Sequence, residues 1–410
     1  MYSAWTCNTL ALVLAAHVFY NFAVVARLVS GFLEGMGPRL EQAAATLGAG
    51  TWRTLWRVTL PLALPATVAA ATLVFIFCFT SFGVILILAP QARFATLEVE
   101  LYRLTLRLLQ LDAAAALALV QLVVVGGLGW AYTRLQARLA VPLAAAPATQ
   151  ERPRGLGAAL LGADLLVVGA VVLAPLVALA AQALTGPDGS FPSGANLRAM
   201  LESPRSVGFA TLGLGLRNSL AFAAASTALA LALGTAFAYA VARGGWRWLD
   251  GLSLLPLATS PVTLGFGYLI AYPWLVATFW GVPLAHALIA FPFVTRTLLP
   301  ALRALPAGQA GAAATLGAGP WRTLWRVELP QLRSSMTVAA AFAFAVSLGE
   351  FGASLLLVRP EFATLPVAIY DRLSRPGITN YGAALGLALV LMAVTTLVML
   401  VLQRRDRGEF

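Results

Sequence analysis

The residues of this chain that could do chemistry are few and far apart. Glu350 stands late in a long apolar run, His17 and His286 lie 269 positions apart, and Asn21, Asn218 and Ser219 interrupt otherwise apolar stretches. Polar side chains in such runs point to a solute path or to helix–helix hydrogen bonds rather than to covalent catalysis. Glu350 could line the route of a cation or pair with an arginine. Asn21 and Asn218 could meet a solute or bond a neighbouring helix. The histidines bring no further cluster of His, Cys or carboxylates such as a metal site needs. Cys7 and Cys78 frame neither a disulfide scaffold nor a metal site and read as small buried hydrophobes. No zincin, serine-hydrolase or paired-carboxylate constellation is present. All 27 basic residues are arginine, so the P-loop lysine that would hold nucleotide phosphates is missing.

The elements that must position these residues are membrane helices. Of 410 residues, 60% are hydrophobic and 10% charged, and the mean hydropathy is +0.85. A soluble domain carries about 25% charge. The net charge of +11 is strung through short loops with no basic face, which excludes nucleic-acid binding and fits the positive-inside bias. Apolar runs predict an all-α polytopic membrane protein with about nine transmembrane helices, near 10–33, 66–89, 113–133, 158–183, 215–241, 249–271, 276–300, 334–358 and 382–402. Arginine-rich loops around Arg53, Arg138, Arg243, Arg322 and Arg404 are expected in the cytoplasm. The C-terminus is then inside and the N-terminus outside.

One polar segment occurs twice. Gln42–Pro61 and Gly311–Pro330 differ at three of twenty positions, namely Gln42/Gly311, Thr51/Pro320 and Thr59/Glu328. The match extends outward at the same offset through His17/His286, Arg27/Arg296 and Phe82-Gly83/Phe351-Gly352. Two homologous halves follow: a first repeat at 1–139 with about three helices, an Ala/Pro-rich linker at 140–154, and a second repeat at 155–410 with about six. Three helices of the second half have no counterpart in the first, which reads as an N-terminally shortened half. Within each copy the Ala-Ala-Ala-Thr-Leu stretch suits a short helix, broken at Gly48 or Gly317. A second, amphipathic helix should lie at the membrane interface with its tryptophans at headgroup depth and end at Pro61 or Pro330. Near-identity of these loops, while the flanking spans differ, points to two equivalent docking sites.

These segments resemble the cytoplasmic signature of permease subunits of binding-protein-dependent ABC importers: EAA, three residues, Gly, nine residues, Ile, one residue, Leu-Pro. Ala43, Ala44, Gly48, Val58, Leu60 and Pro61 match in the first copy, and Ala312, Ala313, Gly317, Val327, Leu329 and Pro330 in the second. Gln42 and Gly311 replace the glutamate. The resemblance implies that residues near 42–50 and 311–319 are coupling helices docking a dimer of ATP-binding subunits. It implies that ATP is used by that partner, with no cofactor on this chain, and that a periplasmic or lipid-anchored solute-binding protein delivers the solute. It also implies alternating access without covalent chemistry, and a place in the bacterial inner membrane. Two fused halves look most like the ferric iron and thiamine branch, with sulfate or molybdate as the alternative. Ser347–Gly352 (SLGEFG) resembles the sulfate and thiamine relatives. A secondary transporter would show inverted repeats and more charges deep in the membrane.

Overall fold

The structure, a computed structural model, describes residues 2–36, 39–139, 155–202, 211–244, 253, 256, 259–357 and 359–407. The expected linker at 140–154 lies outside them. All regular structure among the described residues is helical. In chain order the helices are α1 (Tyr2–Met36), α2 (Arg39–Thr46), α3 (Thr51–Phe79), α4 (Gly83–Leu88), α5 (Leu97–Tyr102), α6 (Leu111–Leu139), α7 (Leu156–Ala183), α8 (Ala195–Glu202) and α9 (Leu212–Arg243). There follow α10 (Pro261–Ala271), α11 (Gly281–Ala304), α12 (Ala307–Thr315), α13 (Pro320–Gln331), α14 (Arg333–Gly349), α15 (Gly352–Leu357), α16 (Leu365–Leu373) and α17 (Ile378–Arg407).

Among the described residues seven helices (α1, α3, α6, α7, α9, α11 and α17) are long and apolar enough to cross a membrane, and the bent pair α13–α14 makes eight. With the shorter apolar α10, which covers the end of the run at 249–271, they correspond to the nine runs read from the sequence; most of 249–258 lies outside the described residues. Lipid offers backbone groups no partner, so a chain this apolar has to close its hydrogen bonds within helices. No residue in the most apolar stretch of α7 is buried; that helix presents leucine and valine on every side.

Contacts divide the chain into two units, Met1–Leu104 with Gln110–Val177, and Thr105–Leu109 with Ala178–Phe410. In the first unit α3 packs against α1 and α6, and Val13, Ile85 and Ala89 form a small core. In the second, α9, α11 and α14 pack on one another through Ala230, Ala238, Val294, Leu298 and Ala339. A Cβ on Gly234 would sit 2.5 Å from Val294 Cγ1, so the absence of a side chain there sets how closely α9 and α11 approach. Asn196 fastens the turn between α7 and α8 by donating to Gln182 O and Thr185 O at 3.1 and 2.8 Å. In that turn the Ser190 hydroxyl and backbone N–H bond Asp188 and hold its carboxyl below the usual range.

Two expected spans are broken. The run at 66–89 ends as a helix at Phe79 and restarts at Gly83, and the run at 334–358 breaks at Glu350–Phe351. Side-chain oxygens that compete for backbone donors cause such breaks. Glu350 takes an extended backbone, and its two carboxylate oxygens accept the N–H groups of Ala353 and Ser354, each at 3.0 Å. The same carboxylate lies 3.1 Å from His286 Nε2. His286 is fully buried, with Nε2 2.9 Å from Ser354 Oγ and Nδ1 2.8 Å from Ser347 Oγ, to which Ser226 also donates at 2.8 Å. This network ties α9, α11, α14 and α15 together. In the first repeat Ser81 and Cys78 stand in place of Glu350 and Ser347. There Ser81 O accepts the Thr96 hydroxyl at 3.0 Å.

Two stability outcomes follow. Glu350→Ala strips the cap from α15 and leaves two buried N–H groups, of Ala353 and Ser354, without their acceptor, so it should cost about 2–5 kcal/mol; Ser81→Ala should stay within about 1 kcal/mol. Thermal unfolding of the detergent-solubilised chain checks both, and equal melting shifts would contradict the assignment. Gly234→Leu should cost about 1–3 kcal/mol by overpacking, whereas Gly267→Ala, with nothing within 4 Å of its Cβ, should leave the melting temperature unmoved.

Candidate functional site: the repeated loops

The two loops agree in local geometry almost bond for bond. In the first, α2 ends when Gly48 turns left-handed at φ +80°, with Gly48 N–H bonding Ala45 O at 3.0 Å and Ala49 N–H bonding Ala44 O at 3.0 Å. In the second, Gly317 has φ +78°, Gly317 N–H bonds Ala314 O at 3.0 Å and Ala318 N–H bonds Ala313 O at 2.9 Å. This pair of bonds is the Schellman stop, and glycine adopts its left-handed position without a Cβ penalty. Thr46 and Thr315 each return a hydroxyl hydrogen bond, at 2.8 Å, to Ala43 O and Ala312 O. Gly50 and Gly319 then extend the chain into the next helix.

Among the signature residues, Ala44 and Ala313 are buried, while Gln42, Ala43, Gly48, Leu60 and Pro61 in the first copy and Gly311, Pro330 and Gly317 in the second are exposed. Leu329 is half-buried and Ala312 exposed. At the tip stand two residues that the sequence reading passed over. Leu47 is 87% exposed and Leu316 88% exposed, each just before its left-handed glycine. The available signal was an apolar residue placed in a polar loop beside a helix stop. An open cavity of about 600 Å³ beside the first loop is lined by Gly50, Thr51, Trp52, Arg53, Trp56 and Arg57. Trp52–Trp56 and Trp321–Trp325 form edge-on pairs at 5.8 and 5.7 Å, all four exposed.

Beyond the tryptophans the copies diverge: the helix end expected at Pro61 needs correction, whereas the second helix ends at Gln331, one residue past Pro330. Each proline follows a wide π turn, Leu55–Thr59 or Leu324–Glu328, in which the N–H of Leu60 or Leu329 reaches back five residues to Leu55 O or Leu324 O. That wide turn makes room for the ring and the missing donor of a proline. So α3 runs through Pro61 to Phe79 as one helix. In the second copy the chain bends by 79° between α13 and α14, at Leu332. The first amphipathic segment is thus a straight extension of its span, whereas the second is set off from α14 by the bend.

The three residues weighed for a solute path all have protein partners. Asn21 donates to His17 O at 2.9 Å and to Cys78 Sγ at 3.7 Å, joining α1 to α3. Asn218 donates to Glu361 O and Ala363 O at 2.9 and 3.1 Å, and Ser219 accepts Leu365 N–H at 2.8 Å, fixing α9 to the start of α16. Glu350 caps α15 and faces His286. His17, the counterpart of His286, bonds Val13 O within its own helix.

The family model described as "binding-protein-dependent transport system inner membrane component" matches residues 1–141 and 230–408. The putative 2-aminoethylphosphonate transport system permease protein of Salmonella typhimurium is 36% identical over 38% of this chain and 60% of its own. The thiamine transport system permease protein of Escherichia coli is 27% identical over 97% of this chain and 72% of its own. The molybdenum transport system permease protein of Escherichia coli is 34% identical over 37% and 74%. The chain thus spans about 60% of the length of the phosphonate relative it matches. The two matched segments cover well over half of the sequence and include both repeated loops, and the spanning helices suit a multi-pass inner-membrane protein: the chain belongs to the family of binding-protein-dependent transport system inner membrane components.

Proposed function

We propose that this chain is the translocation subunit of an ABC importer, moving a solute by alternating access while separate ATP-binding subunits supply the work. The observation that carries the reading is the pair of loops. Two segments of one chain present the same helix stop, the same tip leucine and the same tryptophan pair, which suits two equivalent partners. The missing P-loop lysine supports leaving ATP hydrolysis to those partners. A solute-binding protein delivers the solute on the other side of the membrane.

Thiamine is the solute favoured here, because the thiamine permease aligns along 97% of this chain, against 37–38% for the molybdenum and phosphonate permeases. Ferric iron is the competing solute for a fused two-repeat chain. Asn21, Asn218 and Glu350 act in this reading as helix ties that shape the path rather than as ligands.

Two measurements test the proposal. Leu47→Asp combined with Leu316→Asp replaces exposed side chains, so the protein should accumulate normally in the membrane but no longer retain an ATP-binding subunit on affinity purification. Full retention would refute docking at the tips. Calorimetric titration of the solute-binding protein encoded beside this chain should show tight binding of thiamine and none of ferric iron, 2-aminoethylphosphonate or molybdate. Tight binding of one of the others would reassign the solute.

A further inference from the structure

Glu328 is one of only three differences between the loops, and its surroundings set the copies apart. It is 1% exposed and lies in the π turn before Leu329-Pro330. One carboxylate oxygen accepts from Arg243 Nε at 3.1 Å and lies 3.0 Å from Nη2. Arg243 is the last residue of α9, and its Nη2 also lies 3.4 Å from Leu302 O near the end of α11. One guanidinium therefore joins the ends of two spanning helices to the stem of the second loop. Gln331 reinforces the stem, donating to Val327 O at 2.7 Å and Gln309 Oε1 at 2.9 Å. The first loop has no such tie among the described residues. Thr59, in the place of Glu328, donates at 3.0 Å to Glu41, an exposed residue of the same loop.

The physics of the two contacts differs. An exposed hydroxyl–carboxylate bond exchanges readily with water and holds little. A buried carboxylate stripped of its cation is left uncompensated, so separating the pair is costly. The second oxygen of Glu328 is buried without a hydrogen-bond partner among the described residues, so loss of Arg243 strips the carboxylate of the contacts it makes there. The stem must therefore move together with the ends of α9 and α11.

We propose that Arg243 and Glu328 are positioning residues that make the second docking loop a rigid lever on the helices of its unit, while the first loop is a compliant contact. On the docking reading above, on which this rests, the stroke of the ATP-binding subunits enters the second unit through this ion pair, and the two loops do unequal work despite near-identical tips.

The test uses E328T, which installs the first copy's residue, together with R243Q and the reversed pair R243E/E328R. In the solubilised chain alone, hydrogen–deuterium exchange is followed over Pro320–Gln331 and over Thr51–Pro61. The second segment should exchange more slowly than the first in the unaltered protein. E328T and R243Q should speed the second segment by about tenfold or more and leave the first unchanged. In liposomes with the ATP-binding subunits, both variants should keep hydrolysing ATP but lose uptake of radiolabelled solute per ATP, and the reversed pair should restore it. Unchanged exchange in E328T, or uptake per ATP that stays normal without the pair, overturns the proposal. The exchange result stands even where the reversed pair does not accumulate. A chain whose second stem loosens in E328T, but which retains ATP-binding subunits regardless of Leu47→Asp and Leu316→Asp, keeps the tie and loses the docking reading.

Discussion

A backbone carried through hydrocarbon must satisfy its own N–H and C=O groups, and most of what is distinctive in this protein follows from how it does so where helices stop. Continuous helix needs no help from side chains, so the long spans tolerate wide sequence drift between the repeats. A stop exposes donors and acceptors, and there the sequence becomes specific. Glycine closes both loops by the Schellman bonds at Gly48 and Gly317. Glu350 receives the two N–H groups released where α14 gives way to α15. Asn218 and Ser219 meet the backbone groups that precede α16.

That constraint also explains why resemblance between the halves is uneven. The loops face outward from the bundle and keep almost every residue, down to a pair of indoles that match within 0.1 Å of centroid spacing. The interior positions beneath them have been free to diverge. His286 sits in a five-residue polar network while His17 bonds its own helix. Ser81 stands where Glu350 stands, and Cys78 where Ser347 stands. On the proposed docking, only the partner-facing surface has to be the same twice; the core of each half needs only to be internally consistent.

Sequence periodicity and hydropathy were enough to find the nine apolar runs, the two loops and the glycines that stop them, because each is a local property. The breaks at Thr80–Phe82 and Glu350–Phe351 were not legible, since hydropathy stays high across both; at Glu350 the helix ends where its carboxylate folds onto the next turn, and at Ser81 the freed backbone carbonyl takes the Thr96 hydroxyl. Polar residues in apolar runs single out Glu350, Asn21 and Asn218 as candidates for a solute path, and the structure adds a protein partner for each. The partners that join helices lie far off in sequence, 143 and 145 residues away for Asn218 and 57 for the Asn21–Cys78 contact, and no window of sequence contains such pairs, whereas Glu350 also caps the adjacent Ala353 and Ser354. The passage of α3 through Pro61 was hidden for a related reason: a proline reads as a stop unless the π turn before it is known.

The use of arginine throughout takes on meaning at Arg243. A lysine ammonium there would be a single point charge on a flexible stem, able to face the carboxylate of Glu328 or the carbonyl of Leu302. The guanidinium is a planar fork with five donors. It reaches Glu328 through Nε and Nη2 and stays within 3.4 Å of the end of α11 through the same Nη2. Three elements are held by one side chain because its donors are fixed relative to one another. The bend of 79° at Leu332 lies just beyond this tie, whereas in the first copy, where Thr59 makes only an exposed contact, the helix runs straight on through Pro61.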